Sequence, residues 1–297
     1  RFHSNRADFR RLIRLLSCGY IRHNNTMKQQ GIISDFIFQV FALIIAVIMV
    51  HAVYVAVIRP NADAMLAQQV TMQAQDPDYV QETSIYVVMR DFEQETCLIL
   101  MLWAIAIISL KIYRNRAENA LLQRPLLNLA EGMNILPQDT RDFARPLQAL
   151  PPHEREYLLP RALLSALQRF GSTRNIQDVS SVVKDVCTTE ADRLDSELTI
   201  VRYIAWAIPS IGFLGTVRGI SQAPSQAHKA VSGDIVGVTV SLGVAFNSTF
   251  VALVVSILIM FLLYQLQLMQ DRLVLDTQNY CDNYLVRHLQ VPETEKG

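Results

Sequence analysis

Residues 235–268 read IVGVTVSLGVAFNSTFVALVVSILIMFLLYQLQL, a run of 34 residues without one Asp, Glu, Lys or Arg. A helix needs about 20 apolar residues to cross a bilayer, so this run can span it and extend beyond. Three shorter uncharged runs precede it: FIFQVFALIIAVIMVHAVYVAVI at 36–58, CLILMLWAIAIISL at 97–110 and YIAWAIPSIGFLGTV at 203–217. Continuous apolar runs of this kind form helices in lipid, where every backbone polar group must be paired. The sequence predicts an all-α, polytopic membrane protein with four transmembrane helices.

The overall composition also points to lipid. Hydrophobic residues make up 51% of the chain and charged residues 18%, below the quarter that is typical of soluble domains. The 27 basic and 27 acidic residues cancel, so there is no net field to attract nucleic acid. The four cysteines lie far apart, and no GxGxxG, GxxxxGK[ST], HExxH or GxSxG string occurs. We therefore expect no enzyme activity, no cofactor, no metal site and no nucleic-acid partner.

The distribution of basic residues predicts the orientation in the membrane. Residues 1–30 carry seven Lys or Arg and one acid, whereas residues 59–95 carry two Lys or Arg and seven acids. Residues 111–197 carry twelve of each sign. Because segments rich in Lys and Arg stay on the cytoplasmic side, residues 59–95 are expected outside and residues 111–197 inside. With four spans, both termini are expected in the cytoplasm. The protein would then be a multi-pass protein of the inner (plasma) membrane.

These observations divide the chain into nine predicted segments. They are a basic cytoplasmic segment (1–35), the first span (36–58), an outer segment (59–96), the second span (97–113), a cytoplasmic helical segment (114–197), the third span (198–221), an outer loop (222–234), the fourth span (235–268) and a cytoplasmic tail (269–297).

The third and fourth spans are predicted to be the outer parts of two long helices. Apolar residues between 176 and 201 recur at roughly helical spacing, without Gly or Pro. We expect 175–220 and 235–280 to run unbroken, except for a kink at Pro209, with Ser172 and Thr173 available as N-caps. Their extensions would form a cytoplasmic helical bundle with the short, proline-interrupted helices of 114–170.

Small and hydroxylated residues are concentrated in these two spans. Gly212, Gly215 and Gly219 lie at spacings that bring them close together on one helix surface, and Gly243 lies in the fourth span. Such residues let two membrane helices approach closely, so we predict packing or hinge roles for these glycines and for Pro209. Hydroxyls in an uncharged span serve either to pack helices or to solvate water and small cations. Both interpretations are open for residues such as Thr239, Ser241 and Ser256.

Two motifs in these spans carry a family resemblance. Residues 212–220, GFLGTVRGI, together with residues 246–253, FNSTFVAL, resemble the MotA/TolQ/ExbB proton channel family. The resemblance covers about 70 residues in total, across the third and fourth spans. It implies a homo-oligomer, a pentameric ring, around a dimer of a single-span protein like ExbD, TolR or MotB. A transmembrane Asp of that partner would carry the ion.

The resemblance gives the hydroxyls a specific use. No Asp or Glu lies within the four runs, and an intramembrane proton relay normally needs a titratable group. The carrier would therefore come from the partner, and Thr216, Thr249, Asn247 and Ser248 would line its ion pathway. The third and fourth spans would face the ring interior, and the first two would face lipid.

The predicted function is a subunit of an ion-driven membrane motor or energiser, with a proton favoured over sodium as the transported ion. One alternative is a transporter that conducts a substrate itself, which inverted repeats or a charged midplane site would favour. Another is a membrane scaffold that anchors a partner, which would not need a polar fourth span.

Overall fold

Nearly all of the described chain is helical. The one β contact within it is an isolated parallel bridge between Ile135 and Leu289. Four of its helices are long and apolar enough to cross a membrane, which confirms the predicted all-α fold. The computed structural model describes residues 34–75, 84–127, 133–226 and 236–291. Residues 1–33, most of the predicted outer loop and the end of the predicted tail lie outside these ranges.

We number the helices in chain order. Helix α1 consists of residues 34–53, a π-helical turn at Tyr54–Ile58 and the segment Arg59–Gln75. The others are α2 (Ile85–Val88), α3 (Phe92–Leu122), α4 (Thr140–Gln148), α5 (Pro152–Arg155), α6 (Leu158–Thr173), α7 (Ile176–Glu197), α8 (Thr199–Gln222) and α9 (Val236–Tyr284). The short helices α4 and α5 confirm the predicted interrupted texture after α3.

The chain divides into two compact units, residues 1–103 and 104–297. In the first unit, a buried carboxylate ties α1 to the start of α3. The side chain of Glu95 is 5% exposed, with Oε1 at 2.7 Å from Nδ1 of His51 and Oε2 accepting from Arg59 at 2.6 Å. A buried carboxylate without partners would cost several kcal/mol, so His51 and Arg59 hold Glu95 in place.

The core of the second unit lies beyond the uncharged runs. Because the runs 203–217 and 235–268 contribute none of its buried members, this core is outside the spans. Its position in the cytoplasm remains a prediction. Most of its fully buried side chains lie on α4, α6 and α7, at the end of α9 or directly after it, among them Leu147, Leu163, Leu167, Phe170, Val179, Val183, Cys187, Cys281 and Leu285.

The two long helices form as predicted, with one difference. Helix α9 is continuous over 49 residues, and α7 leads directly into α8 without a loop. The regular helix is interrupted at Leu198, whose N–H bonds to the carbonyl of Asp195, one residue nearer than in an α-helix. Helix α8 itself runs through Pro209.

The start of α7 corrects the predicted cap. Ser172 and Thr173 belong to the last turn of α6, where both hydroxyls donate to the carbonyl of Arg169 at 2.9 and 3.0 Å. The N-cap is Asn175, whose side-chain oxygen accepts from the N–H of Gln177 at 2.9 Å. Arg174 joins the two helices in the left-handed conformation, with φ 52°.

Candidate functional site

Helices α8 and α9 pack closely because two glycines face α9. A Cβ atom at Gly212 would lie 2.4 Å from Cβ of Ala252, and one at Gly219 would lie 2.6 Å from the carbonyl oxygen of Ser241. Gly215 is buried on the same helix. Such contacts are too short for any side chain, so the two backbones approach as the small residues predict.

Thr216 and Thr249 meet at this contact. Their hydroxyls are hydrogen-bonded to each other, and the hydroxyl of Thr249 also donates to the carbonyl of Gly212 at 3.1 Å. The hydroxyl of Thr216 lies 3.3 Å from the carbonyl of Ala245. Each hydroxyl has one proton and two lone pairs, so the pair retains acceptors for water or a hydrated cation.

The other two predicted pathway residues do not join this pair. Ser248 is 1% exposed, and its hydroxyl donates to the carbonyl of Val244 in its own helix at 2.8 Å. Asn247 is half-buried and makes no side-chain hydrogen bond to any described residue. It lies two residues before Thr249, about 200° around the helix, and thus on the opposite flank of α9.

Pro209 is coupled to a serine that the motifs did not single out. A proline cannot donate its backbone nitrogen, so the carbonyl four residues earlier, that of Ala205, loses its helical partner. The hydroxyl of Ser256 in α9 donates to this carbonyl at 3.0 Å. The proline therefore adds a hydrogen bond between the two helices.

Gly243 has no neighbour of this kind among the residues that the structure describes. A Cβ atom built there meets nothing within 4 Å, since the residue lies on the flank of α9 that faces away from α8. Its predicted packing role therefore has no counterpart in one chain and stays a prediction about contacts with other molecules.

Charged residues near the inner ends of the predicted spans form a network that sequence reasoning missed. Glu190, 3% exposed, binds Arg161 at 2.8 Å and Arg193 at 2.9 Å. Lys111, 8% exposed, binds Glu197 at 2.7 Å. The spacing of Glu190 and Arg193 indicates a helical pair, but the burial of Glu190 and its bond to Arg161 of α6 depend on tertiary packing, which sequence spacing does not reveal.

The polar groups of the α8–α9 contact are suited to solvating a cation. The described residues contain no group of three His, Cys, Asp or Glu that could hold a metal ion. The closest polar groups in the α8–α9 contact are hydroxyls and carbonyls, which stabilise a cation but do not carry a proton at neutral pH.

Comparison with known proteins identifies this region. Residues 154–279, which include α6, α7, α8 and most of α9, match the model of the MotA/TolQ/ExbB proton channel family. No curated protein and no solved structure matches the chain. The family match and the four apolar helices indicate a membrane protein that takes part in ion transport and uses the proton motive force. Over residues 154–279, the chain is therefore similar to the MotA/TolQ/ExbB proton channel family.

Proposed function

We propose that this chain is the ring-forming subunit of a proton-driven membrane motor or energiser. Its partner would be a single-span protein with a transmembrane Asp, and a pentamer around a partner dimer is the arrangement that the family resemblance implies. The observation that best supports this function is the contact between Thr216 and Thr249, which joins the two predicted spans of the family-matched region.

The hydroxyl pair suits a proton that is delivered by another chain. No acid lies in the four uncharged runs, so this chain supplies no carboxylate at mid-membrane. A partner Asp would accept a strong, charge-assisted hydrogen bond from either threonine when ionised, and protonation would weaken that bond. The alternation would change the contact between ring and partner, which is the physical basis for mechanical work.

The surfaces of α8 and α9 support association with other chains. Large apolar side chains on these helices are exposed in one chain, including Trp206 at 72% and Phe246 at 69%. The amide of Asn247 has no hydrogen-bond partner among the described residues, and an unpaired amide in lipid is unfavourable. A neighbouring subunit would cover both. We retain the orientation with both termini and residues 111–197 in the cytoplasm as part of the proposal.

The test isolates the hydroxyl of Thr249. Thr249→Val removes it at nearly constant volume, whereas Thr249→Ser keeps it. The full chain is purified from native membranes together with any single-span protein that carries a transmembrane Asp. The two proteins are then reconstituted into lipid vesicles. Copy number is measured by native mass spectrometry, and proton flux by a pH-sensitive dye.

We expect both variants to assemble, Thr249→Val to lose proton flux, and Thr249→Ser to retain most of it. Replacing the partner Asp by Asn should also stop the flux. Ser241→Ala is the matched control, since the Ser241 hydroxyl donates within its own helix at 2.9 Å. Full flux through an assembled Thr249→Val complex would withdraw the pathway assignment. If ion flux required sodium, we would conclude that sodium, and not the proton, is the transported ion.

A further inference from the structure

A basic groove lies between α4 and α6 in the second unit, away from the threonine pair. Its volume is about 810 Å³, within the range of small-molecule sites. Three arginines, two hydroxyl residues and three glutamines contribute to its wall, and no carboxylate does. The residues that line it are Pro137, Gln138, Thr140, Arg141, Ala144, Arg145, Gln148, Leu167, Gln168, Gly171, Ser172 and Arg174.

The floor of the groove is set by a close approach of the two helices. A Cβ atom at Gly171 would lie 2.9 Å from Oγ1 of Thr140, so glycine permits this contact. The hydroxyl of Thr140 donates to the carbonyl of Pro137 at 2.9 Å, which fixes the start of α4. These contacts hold the start of α4 against the end of α6 at the floor of the groove.

The charge of the wall comes from separate segments of the chain. Arg141 and Arg145 lie on α4, and Arg174 lies in the turn between α6 and α7. Arg145 pairs with Asp142 at 3.2 Å, but both side chains are largely exposed, so this pair is weak. The groove therefore keeps a positive potential that favours an anion.

Arg174 is an unusual residue for its backbone conformation. Its φ of 52° lies in the left-handed region, where a helix normally ends with glycine. An arginine there carries a conformational cost that glycine would avoid. Its side chain lines the groove, which gives the arginine a use that glycine lacks.

The distance of the groove from the predicted spans favours a soluble anion over a lipid headgroup. Helix α7 has 22 residues, about 33 Å, and separates Arg174 from the start of α8. Guanidinium groups bind phosphate oxygens in bidentate pairs, and several of them in one concave wall suit a compact polyanion.

We propose that this groove binds a small soluble phosphate ester or diphosphate. The binding rests on Arg141, Arg145 and Arg174, and it is independent of the ion pathway. Binding is measured on the purified full chain by equilibrium dialysis with radiolabelled inorganic pyrophosphate and, separately, with ADP. Binding of both would show that the diphosphate is recognised, and preference for ADP would add the nucleoside to the ligand class.

Two variants separate binding from folding. Arg141→Gln with Arg145→Gln should weaken pyrophosphate binding at least tenfold. Arg174→Gly should weaken it severalfold while leaving the thermal midpoint unchanged or higher, because glycine relieves the left-handed backbone. Arg169→Gln is the control, since Arg169 is an exposed arginine of α6 that does not line the groove, and it should bind as the unchanged chain does.

The proposal fails if the unchanged chain does not retain pyrophosphate or ADP at about 1 mM, the weak limit of specific binding. It also fails if the arginine variants bind as tightly as the control. Binding of a hexaglutamate peptide without binding of either phosphate compound would make the groove a protein-docking surface and overturn it.

Discussion

Ser256 in α9 donates its hydroxyl to the carbonyl of Ala205, the acceptor that Pro209 leaves without a partner in α8. The donor and acceptor are 3.0 Å apart. The proline removes a hydrogen bond within α8, and the freed carbonyl instead forms a hydrogen bond between α8 and α9. This couples the stability of α8 to its contact with α9.

Removing the Ser256 hydroxyl should therefore matter only while the proline is present. Ser256→Ala should cost about 0.6 kcal/mol, the average of measured hydrogen bonds between membrane helices. In a Pro209→Ala background, the restored N–H of residue 209 can pair with Ala205, so Ser256→Ala should cost almost nothing. Equilibrium unfolding in detergent of the two single variants and the double variant gives the coupling energy.

Ser241→Ala is the control for this cycle, because its hydroxyl bonds within α9 and crosses to no other helix. Equal costs of Ser256→Ala in both backgrounds would show that the hydroxyl does not compensate for the proline.

The sequence predicted the two helices but not this connection. Uncharged length and the lack of Gly or Pro between 172 and 208 were enough to predict the long α7–α8 segment. The interruption at Leu198 could not be predicted, because leucine is a good helix former and no local signal marks the site. Likewise, Pro209 predicted a kink or hinge, but the donor that pairs with the carbonyl of Ala205 depends on the register of α9 against α8.

The glycines show the same limit. Small size predicted a packing or hinge role for Gly212, Gly219 and Gly243 alike, because the sequence shows which residues are small but not what covers them. The structure brings the first two against α9 and leaves the third without a contact among the described residues.

Alanine substitutions should therefore separate these glycines. Gly212→Ala places a Cβ atom 2.4 Å from Cβ of Ala252, so the helices must move apart at a cost of about 1–3 kcal/mol. Gly243→Ala meets no atom of the described ranges and should leave the unfolding midpoint in detergent unchanged. A comparable loss for both variants would contradict the distinction. Loss of oligomer by Gly243→Ala alone would assign Gly243 to an interface between chains.

Two cysteines in the second unit should resist thiol reagents. Cys187 and Cys281 are 2% and 0% exposed within the core, and burial raises the pKa of the Cys187 thiol to about 11. Burial also raises the pKa of the Cys281 thiol. At pH 8 the thiolate fraction of Cys187 would be on the order of a thousandth, so alkylation should be slow even for a reagent that reaches it.

The measurement uses a chain with Cys18→Ser and Cys97→Ala, treated with iodoacetamide before and after denaturation. Ser180→Cys, at an exposed position on α7, is the accessible control and should react at once. Rapid alkylation of Cys187 or Cys281 in the folded chain would show that the core opens on the timescale of the reaction.

The buried ion-pair network should be sensitive to loss of one member. Glu190→Gln leaves Arg161 and Arg193 without their shared carboxylate, and breaking a buried pair typically costs 3–5 kcal/mol. The partial exposure of both arginines, at 37% and 47%, lowers that figure, so we expect about 1–2 kcal/mol in the detergent unfolding equilibrium. Asp142→Asn, which removes an exposed pair, should cost almost nothing. Equal effects of the two variants would show that burial of Glu190 adds no stability.

Glu118 should make the stability of the chain depend on pH. Burial raises the pKa of its carboxyl above the usual range, although the N–H of Leu158 donates to it at 3.3 Å and opposes the shift. The folded state therefore binds its proton more tightly than the unfolded state. Its contribution is fully present below the ordinary carboxyl pKa and is lost as the pH rises through the raised value. Glu118→Gln keeps an acceptor for Leu158 without a titratable group, so it should raise the thermal midpoint at pH 8 by a few degrees and leave it unchanged near pH 4. An equal rise at both pH values would mean that glutamine packs better there, and the ionisation of Glu118 would not be the cause.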